Sequence, residues 1–269
     1  MSAPTLTSAA AHRPLSAPEL AANLPAISEH SVSLMQADKQ LKVGGLTPFS
    51  ATDYPGKLAA VVFVQGCPWR CGYCHNPHLQ TRTGDSALAW PDILARLQRR
   101  IGLIDAVVFS GGEPTIDPGL EAAMREVRAL GFGVGLHTAG AYPRRLAEVL
   151  PLVDWVGIDV KAAWPGYDAI TCITDSARHA RASAELVLAS GVAHEFRTTV
   201  HPALHTEQDM LALAQSLSAM GVNNYALQVF RGTGCADTGL QSQATAGYPG
   251  TALLARVSAL FAGFTFRRE

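Results

Sequence analysis

Apolar residues arrive along this chain in two rhythms. Residues 58–64, Leu-Ala-Ala-Val-Val-Phe-Val, are almost wholly apolar, as a strand buried on both faces requires. Further short segments read as strands at 106–109, 132–136, 155–160, 195–200 and 225–230. Between them the spacing changes to that of a helix. Apolar residues at 93, 94, 97 and 101 share one helical face, and Pro91 suits its first turn. Asp117-Pro118 reads as an N-cap followed by the first helical residue, and Gly131 ends that helix. Thr206 and Asp209 spell a capping-box variant whose helix closes at Gly221, and a last helix is expected over 251–261.

Strands alternating with helices at this spacing predict βα units and a parallel sheet, an α/β fold. Six strands fall short of a complete eight-stranded barrel, which leaves a partial (β/α)6 barrel or a doubly wound sheet. In both, the functional face lies at the C-terminal ends of the strands. Residues 42–269 read as one domain. Residues 1–41 are rich in Ala, Ser and Pro without strand-like alternation, and are expected to form a poorly ordered extension. Arg13 and the scarcity of acidic residues there also permit a transit peptide, while the continuous apolar stretch of a secretory signal is missing.

Hydrophobic residues make up 48% of the 269 residues, enough for a sizeable core. Charged residues are 16%, and the net charge is −1. No basic excess points to nucleic acid, and no apolar run reaches the roughly 18 residues that cross a bilayer. The expected setting is the cytoplasm, with neither a nucleic-acid nor a membrane partner.

The chemistry concentrates directly after the first strand. Gly66-Cys67-Pro-Trp-Arg-Cys71-Gly-Tyr73-Cys74-His75-Asn76-Pro77 places three of the five cysteines on one loop. Thiolates bind soft metals and iron–sulfur clusters, and a reducing cytosol disfavours a disulfide. Three cysteines are one ligand short of a closed four-cysteine site, which leaves a position for substrate. With His75 or His78 the same cysteines also spell a zinc knuckle, while three buried, unliganded thiols this close together would be rare.

C-x3-C-x2-C after a first strand resembles the radical S-adenosylmethionine (SAM) superfamily. The words Asp53-Tyr-Pro-Gly56, Gln65-Gly-Cys67 and Tyr73-Cys-His-Asn-Pro77 are similar to those of activating proteins of glycyl radical enzymes. They are closest to activators of anaerobic ribonucleoside-triphosphate reductase. The resemblance covers about residues 44–231 and implies a partial (β/α)6 barrel of the radical SAM type. It further implies that Cys67, Cys71 and Cys74 hold a 4Fe-4S cluster whose fourth iron chelates the amino and carboxylate groups of SAM.

Other positions gain roles from the same resemblance. Tyr73 and His75 lie in the cysteine word and are expected beside the cofactor. Ser110-Gly111-Gly112-Glu113-Pro114 matches the segment that receives the SAM amino group. Glycines let a backbone approach a ligand closely, and a carboxylate suits an ammonium. Asp159 and Lys161 share one strand face. The resemblance places them near the ribose and methionyl carboxylate, although a rim salt bridge is the simpler account. Arg197 is similar to an arginine serving that carboxylate, and Arg231 and Gln228 are plausible contacts on the adenosine side. Related pyruvate formate-lyase activators carry Asp-Thr-Asn-Gly where this chain has His137-Thr138-Ala139-Gly140. Thr138 is retained, but an imidazole does not favour the monovalent cation held there, and His137 reads as a cap on its strand.

Cys172 and Cys235 are too few and too isolated for an auxiliary cluster, and read as inert thiols. The implied reaction is one-electron cleavage of SAM to methionine and a 5′-deoxyadenosyl radical that abstracts a glycine hydrogen from a partner enzyme. The expected partner is an anaerobic ribonucleotide reductase, with flavodoxin or ferredoxin as electron donor. A different glycyl radical protein or a small-molecule substrate is the alternative, and a zinc-binding module the more distant one.

Overall fold

The computed structural model describes residues 40–83, 86–243 and 245–268. They form one sheet whose spatial order follows the chain: β1 (Val43–Ser50), β2 (Ala59–Val64), β3 (Ala106–Gly111), β4 (Gly133–Thr138), β5 (Trp155–Asp159), β6 (Ala193–Val200), β7 (Asn224–Val229) and β8 (Gly263–Arg267). β2 through β7 are the six expected strands, and all are parallel. Two more flank them. β1 runs antiparallel to β2, and β8 runs parallel to β7. The sheet order leaves β1 and β8 as edges, so the barrel is partial and open.

Eight helices accompany the strands among the described residues: α1 (Trp90–Gln98), α2 (Leu120–Ala129), α3 (Pro143–Val149), α4 (Tyr167–Thr171), α5 (Ser176–Ser190), α6 (Glu207–Ala219), α7 (Thr238–Ser242) and α8 (Thr251–Ser258). Val62, Phe109, Leu136 and Ile158 on the outer sheet face share a core with Ile93, Met124, Leu146, Val187 and Leu213 from the helices. A separate inner cluster gathers Ala59, Val61, Ala106 and Val108 with Tyr54 and Phe63. Burial on both faces is why these strands read as unbroken apolar runs.

Small side chains on the inner face make room for a plug. Tyr54 enters at the N-terminal ends of the strands and stacks on Trp155, centroids 5.2 Å apart. A Cβ on Gly135 would lie 2.9 Å from Val108 Cγ2 and 3.1 Å from Tyr54 Cδ1. The Asp53-Tyr-Pro-Gly56 word is therefore a barrel stopper on the side away from the cysteines.

The helix signals held with three adjustments, the first being that α1 stops at Gln98 and leaves the exposed Ile101 outside it. Thr206 and Asp209 form a reciprocal capping box at the start of α6. Asp117 is not the N-cap of α2, whose N-cap is Gly119. Its carboxylate instead accepts the N–H of Gly119 at 2.8 Å and that of Lys42 at 3.1 Å, and pairs with Arg82 at 3.1 Å. The last helix stops at Ser258, three residues short of its expected end, and the chain then turns into β8. Of the expected extension 1–41, residues 1–39 lie outside the described residues, while Leu41 is already buried. No helix among the described residues is long and apolar enough to cross a membrane.

Candidate active site

A cavity of about 180 Å³ opens at the C-terminal ends of the strands, and Cys67, Cys71 and Cys74 all line it. The loop that carries them is clipped at its ends. Gly66 N–H donates to Leu79 O at 2.8 Å, and Cys67 N–H to Gln80 O at 3.0 Å. Arg70 N–H donates to Thr171 O at 2.8 Å, docking the middle of the loop on the end of α4. The Arg70 guanidinium closes it from within, bonding the carbonyls of Cys67 at 2.6 Å and Trp69 at 2.9 Å. The three thiols are free and half-buried. Burial, with the nearby Glu113 charge, pushes the Cys67 thiol up to about 12, and burial also raises Cys71. Thiols that are hard to ionise unaided suit a centre whose own positive charge draws off the protons.

The exit of β3 explains its two glycines. Gly111 has φ 118°, and a Cβ there would sit 2.4 Å from the Val64 backbone. A Cβ on Gly112 would sit 2.3 Å from Gly66 O. Glycine is thus required by the neighbouring strand and by the cysteine loop, and both glycines also face the cavity. Glu113 is fully buried and absent from the cavity wall. Its Oε1 accepts from Thr138 Oγ1 at 2.7 Å and Thr115 Oγ1 at 2.6 Å, and its Oε2 from Ala139 N–H at 2.8 Å. With both oxygens engaged by β4 and its own turn, Glu113 positions Thr138 and Ala139, and these two line the cavity.

The floor is charged. Asp159 and Arg197 are register partners on β5 and β6, and Arg197 Nε donates to Asp159 Oδ1 at 3.0 Å. Lys161 Nζ lies 3.8 Å from Asp159 Oδ2 and 5.6 Å from the centre of the Tyr73 ring. Burial alone would raise the Asp159 carboxyl, but Arg197 and Lys161 outweigh it and hold it below the usual carboxylate value. Burial opposes charge on Lys161 as well, and Tyr73, Asp159 and Cys71 overcome it, keeping the ammonium protonated well above its ordinary range. Asp159 keeps about a third of its side chain exposed (36%), and Asp159, Lys161 and Arg197 all line the cavity.

His137 is no strand cap. Its Nε2 lies 2.8 Å from Asp53 O and its Nδ1 3.3 Å from Ser110 Oγ. A carbonyl can only accept, so Nε2 carries the proton and Nδ1 accepts from the serine. Arg197 Nη1, 3.3 Å from the same Nε2, is then a charge against the ring rather than a hydrogen-bond donor. Burial and Arg197 lower the His137 pKa to about 4, so the ring is neutral.

Tyr73, His75 and Thr138 line the cavity. Arg231 does not. It is exposed, and its carbonyl meets His75 Nε2 at 3.0 Å. Gln228 lines the wall, as do Trp69, Asn76, Gln80, Ser110 and Thr199, which the motifs did not single out. Ser110 and Thr199 were reachable by parity, being two residues on from inward Val108 and Arg197. Among the described residues no trio of His, Cys, Asp or Glu is gathered tightly enough for a single metal ion. The three thiols instead surround a cavity, an arrangement suited to a larger centre than a zinc knuckle.

Comparison with known proteins agrees. The sequence model of the radical SAM superfamily matches residues 61–217, more than half of the chain. A Methanocaldococcus jannaschii protein named as a candidate glycyl-radical enzyme activating enzyme is 32% identical over 201 residues, covering 70% of this chain and 79% of that one. The pyruvate formate-lyase-activating enzyme of Clostridium pasteurianum is 32% identical over 138 residues, covering 49% of this chain and 57% of its own length. The crystal structure of Streptococcus suis SuiB bound to S-adenosylmethionine matches in fold with a TM-score of 0.59 at 12% identity, over 76% of this chain and 48% of that one. The superfamily uses a 4Fe-4S cluster and SAM. Three free thiols around one cavity, with a carboxylate and two cations across its floor, fit that pair. The chain belongs to the radical SAM superfamily and is a homologue of its glycyl-radical enzyme activating members.

Proposed function

We propose that this protein generates the glycyl radical of an anaerobic ribonucleoside-triphosphate reductase. The observation that carries an activating role is the match to the M. jannaschii relative over 79% of its length. The Asp53-Tyr-Pro-Gly56 and Tyr73-Cys-His-Asn-Pro77 wording favours the reductase as target. A cavity open at the strand ends suits a macromolecular substrate, because a loop of the partner can itself complete the enclosure.

Together the two cofactors supply one-electron reduction and sulfonium cleavage, ending in removal of a hydrogen atom from a C–H bond. The chain supplies placement. Cys67, Cys71 and Cys74 hold the cluster. Lys161 and Arg197 offer their charge to the SAM carboxylate, and Asp159 accepts hydrogen bonds from ribose hydroxyls. The cavity-facing segments Gly111-Gly112 and Thr138-Ala139, the latter held by Glu113, receive the ammonium. Tyr73, Trp69 and His75 cover the walls with ring surface and limit water. Flavodoxin or ferredoxin is the proposed electron donor, in a cytoplasmic setting.

Anaerobic mixing with a reductant, SAM and the reductase of the same organism is expected to give a doublet glycyl signal in electron paramagnetic resonance. One methionine should appear per radical, apart from uncoupled turnover. SAM cleavage without that signal overturns the assignment of the partner. The C. pasteurianum match makes pyruvate formate-lyase the next partner to assay.

A further inference from the structure

Behind the charged floor sits a pair of buried histidines that contribute nothing to the cavity wall. β6 leaves the sheet through His201-Pro-Ala-Leu-His205, and these rings are 1% and 2% exposed. Their protonation follows from their partners. His201 Nδ1 accepts the N–H of Ala203 at 3.1 Å, and its Nε2 lies 3.2 Å from Leu240 O. His205 Nδ1 faces the N–H of His201 at 3.4 Å, and its Nε2 lies 2.9 Å from Lys161 O. Main-chain N–H groups only donate and carbonyls only accept, so each ring is neutral with its proton on Nε2. Burial lowers the His205 pKa, in agreement.

Lys161 needs such support. β5 ends at Asp159, and the last ladder-like bond on this segment is Val160 N–H to Arg197 O at 2.8 Å. Beyond it the polar groups of residue 161 are held by side chains. Its N–H donates to Tyr167 Oη at 3.3 Å, and its carbonyl accepts from His205. The same imidazole stands edge-on to Tyr73, centroids 6.4 Å apart, and Tyr73 is the ring beneath the Lys161 ammonium. One side chain therefore fixes the backbone from which Lys161 projects and braces the surface against which it lies. On the other side, Tyr248 Oη donates to the His205 carbonyl.

We propose that His205 is a positioning residue for SAM binding: its Nε2–H bond to the Lys161 carbonyl sets the direction in which the ammonium enters the cavity. The proposal rests on the reading of Lys161 as a cofactor contact. His205 touches neither cofactor; it meets the cysteine loop only at the edge of the Tyr73 ring, while the main-chain clips of that loop run to Leu79, Gln80 and Thr171. Its loss should therefore separate SAM affinity from cluster content.

The test uses reconstituted protein under anaerobic conditions and four measurements: iron per chain, melting temperature, SAM dissociation constant by equilibrium dialysis, and acylation of the Lys161 amine read by mass spectrometry. The chain has four lysines, so that amine is easily resolved. His205→Leu is expected to weaken SAM binding roughly tenfold, the scale of one lost hydrogen bond to a buried carbonyl, with iron content unchanged. Lys161 acylation should quicken as its ammonium loses its fixed place. His205→Gln carries an amide donor at the Nε2 position and should return affinity to within about threefold of wild type. His205→Asn keeps only the group equivalent to Nδ1 and should behave like Leu, which serves if the Leu variant does not fold. Equal affinity in the Gln, Asn and wild-type proteins overturns the proposal, as does loss of iron in step with SAM. Lys161→Ala separates the premise from the inference. If it leaves SAM binding intact, the role of Lys161 falls. If it weakens binding while the His205 variants do not, only the positioning role falls.

Discussion

The imidazole of His137 meets the main-chain oxygen of Asp53 at 2.8 Å, and that bond ties the plug beneath the barrel to the floor of the cavity. The bond requires a proton on Nε2, and burial with the Arg197 charge keeps a second proton off Nδ1, so the native ring is neutral and accepts from Ser110. Its folded pKa of about 4 lies below the value near 6.5 of an unfolded histidine. Stability from this group is complete above the unfolded pKa. It drains as the pH falls from there towards the folded value, because only the unfolded chain takes up the proton. The loss across that window is roughly 3 kcal/mol. His137→Gln cannot titrate and should flatten the fall in urea midpoint between pH 7 and pH 5. Parallel losses in the two proteins would show that the ring is not the source.

A second prediction concerns the space beside the floor. A Cβ on Gly157 would lie 2.8 Å from Arg197 Cζ and 2.9 Å from the Trp155 ring. Gly157→Ala should push the guanidinium off Asp159, weaken SAM binding several-fold and leave iron content unchanged, because the cysteine loop stands apart from this contact. Isothermal titration with SAM and an iron assay on the same sample check it. Unaltered affinity would mean that Arg197 can shift without consequence for the cofactor.

Much of this was readable in residue order, and what was not has physical causes. The parallel strands announced themselves because both faces are buried, and the cysteine loop because thiols are rare. β1 was hidden: Gly44, Gly45 and Pro48 dilute its strand character, and its pairing with β2 is broken by irregularities between Val43 and Gly45 and between Thr47 and Ser50. β8 is a five-residue edge with a partly buried face, too short to show a period. The burial of Glu113 was not legible because it depends on Thr138 and Ala139, 25 and 26 residues away at the end of another strand. The carboxylate's chemistry suited an ammonium equally well. Asp159 and Lys161 were legible as neighbours because a strand's two-residue period fixes which side chains share a face, whereas Arg197 was picked out by resemblance alone.

The cysteines divide into two classes. Cys67→Ala, Cys71→Ala or Cys74→Ala should each remove most bound iron and abolish SAM cleavage. Cys172→Ala should change neither, since its exposed thiol makes only a long 3.9 Å contact to Ala169 O. Cys235 is less inert than its isolation suggests. Its buried thiol donates to Gly72 O at 3.4 Å, pinning the cysteine loop to the segment after β7. Cys235→Ala should keep its iron but lose about 1 to 2 kcal/mol of stability. Full iron occupancy in the Cys71 variant would refute the ligand set, and an unchanged denaturation midpoint for Cys235→Ala would refute the pin.

Asp117 is the buried anchor of the far end of that loop. Its side chain has no exposed surface and serves three segments at once: Lys42 ahead of β1, Arg82 beyond the cysteines, and Gly119 at the start of α2. Arg82 in turn packs against the α-carbon of Gly66, directly before Cys67, where a Cβ would come within 3.1 Å of it. Removing the carboxylate leaves two main-chain donors unpaired in a buried site, while the Arg82 side chain, one-third exposed, can turn to water. Asp117→Ala should therefore cost about 2 to 4 kcal/mol, the scale for leaving buried donors without an acceptor. Asp117→Asn keeps an acceptor oxygen for one donor but gives up the charge facing Arg82, and should fall between Ala and wild type. Because the loss loosens the return of the cysteine loop, iron should also pass to a chelator faster in both variants, in the same order. Denaturant midpoints and chelator kinetics on anaerobic protein measure the two effects separately. A destabilised Asp117→Ala protein that released iron at the wild-type rate would show that the anchor holds the fold without holding the loop.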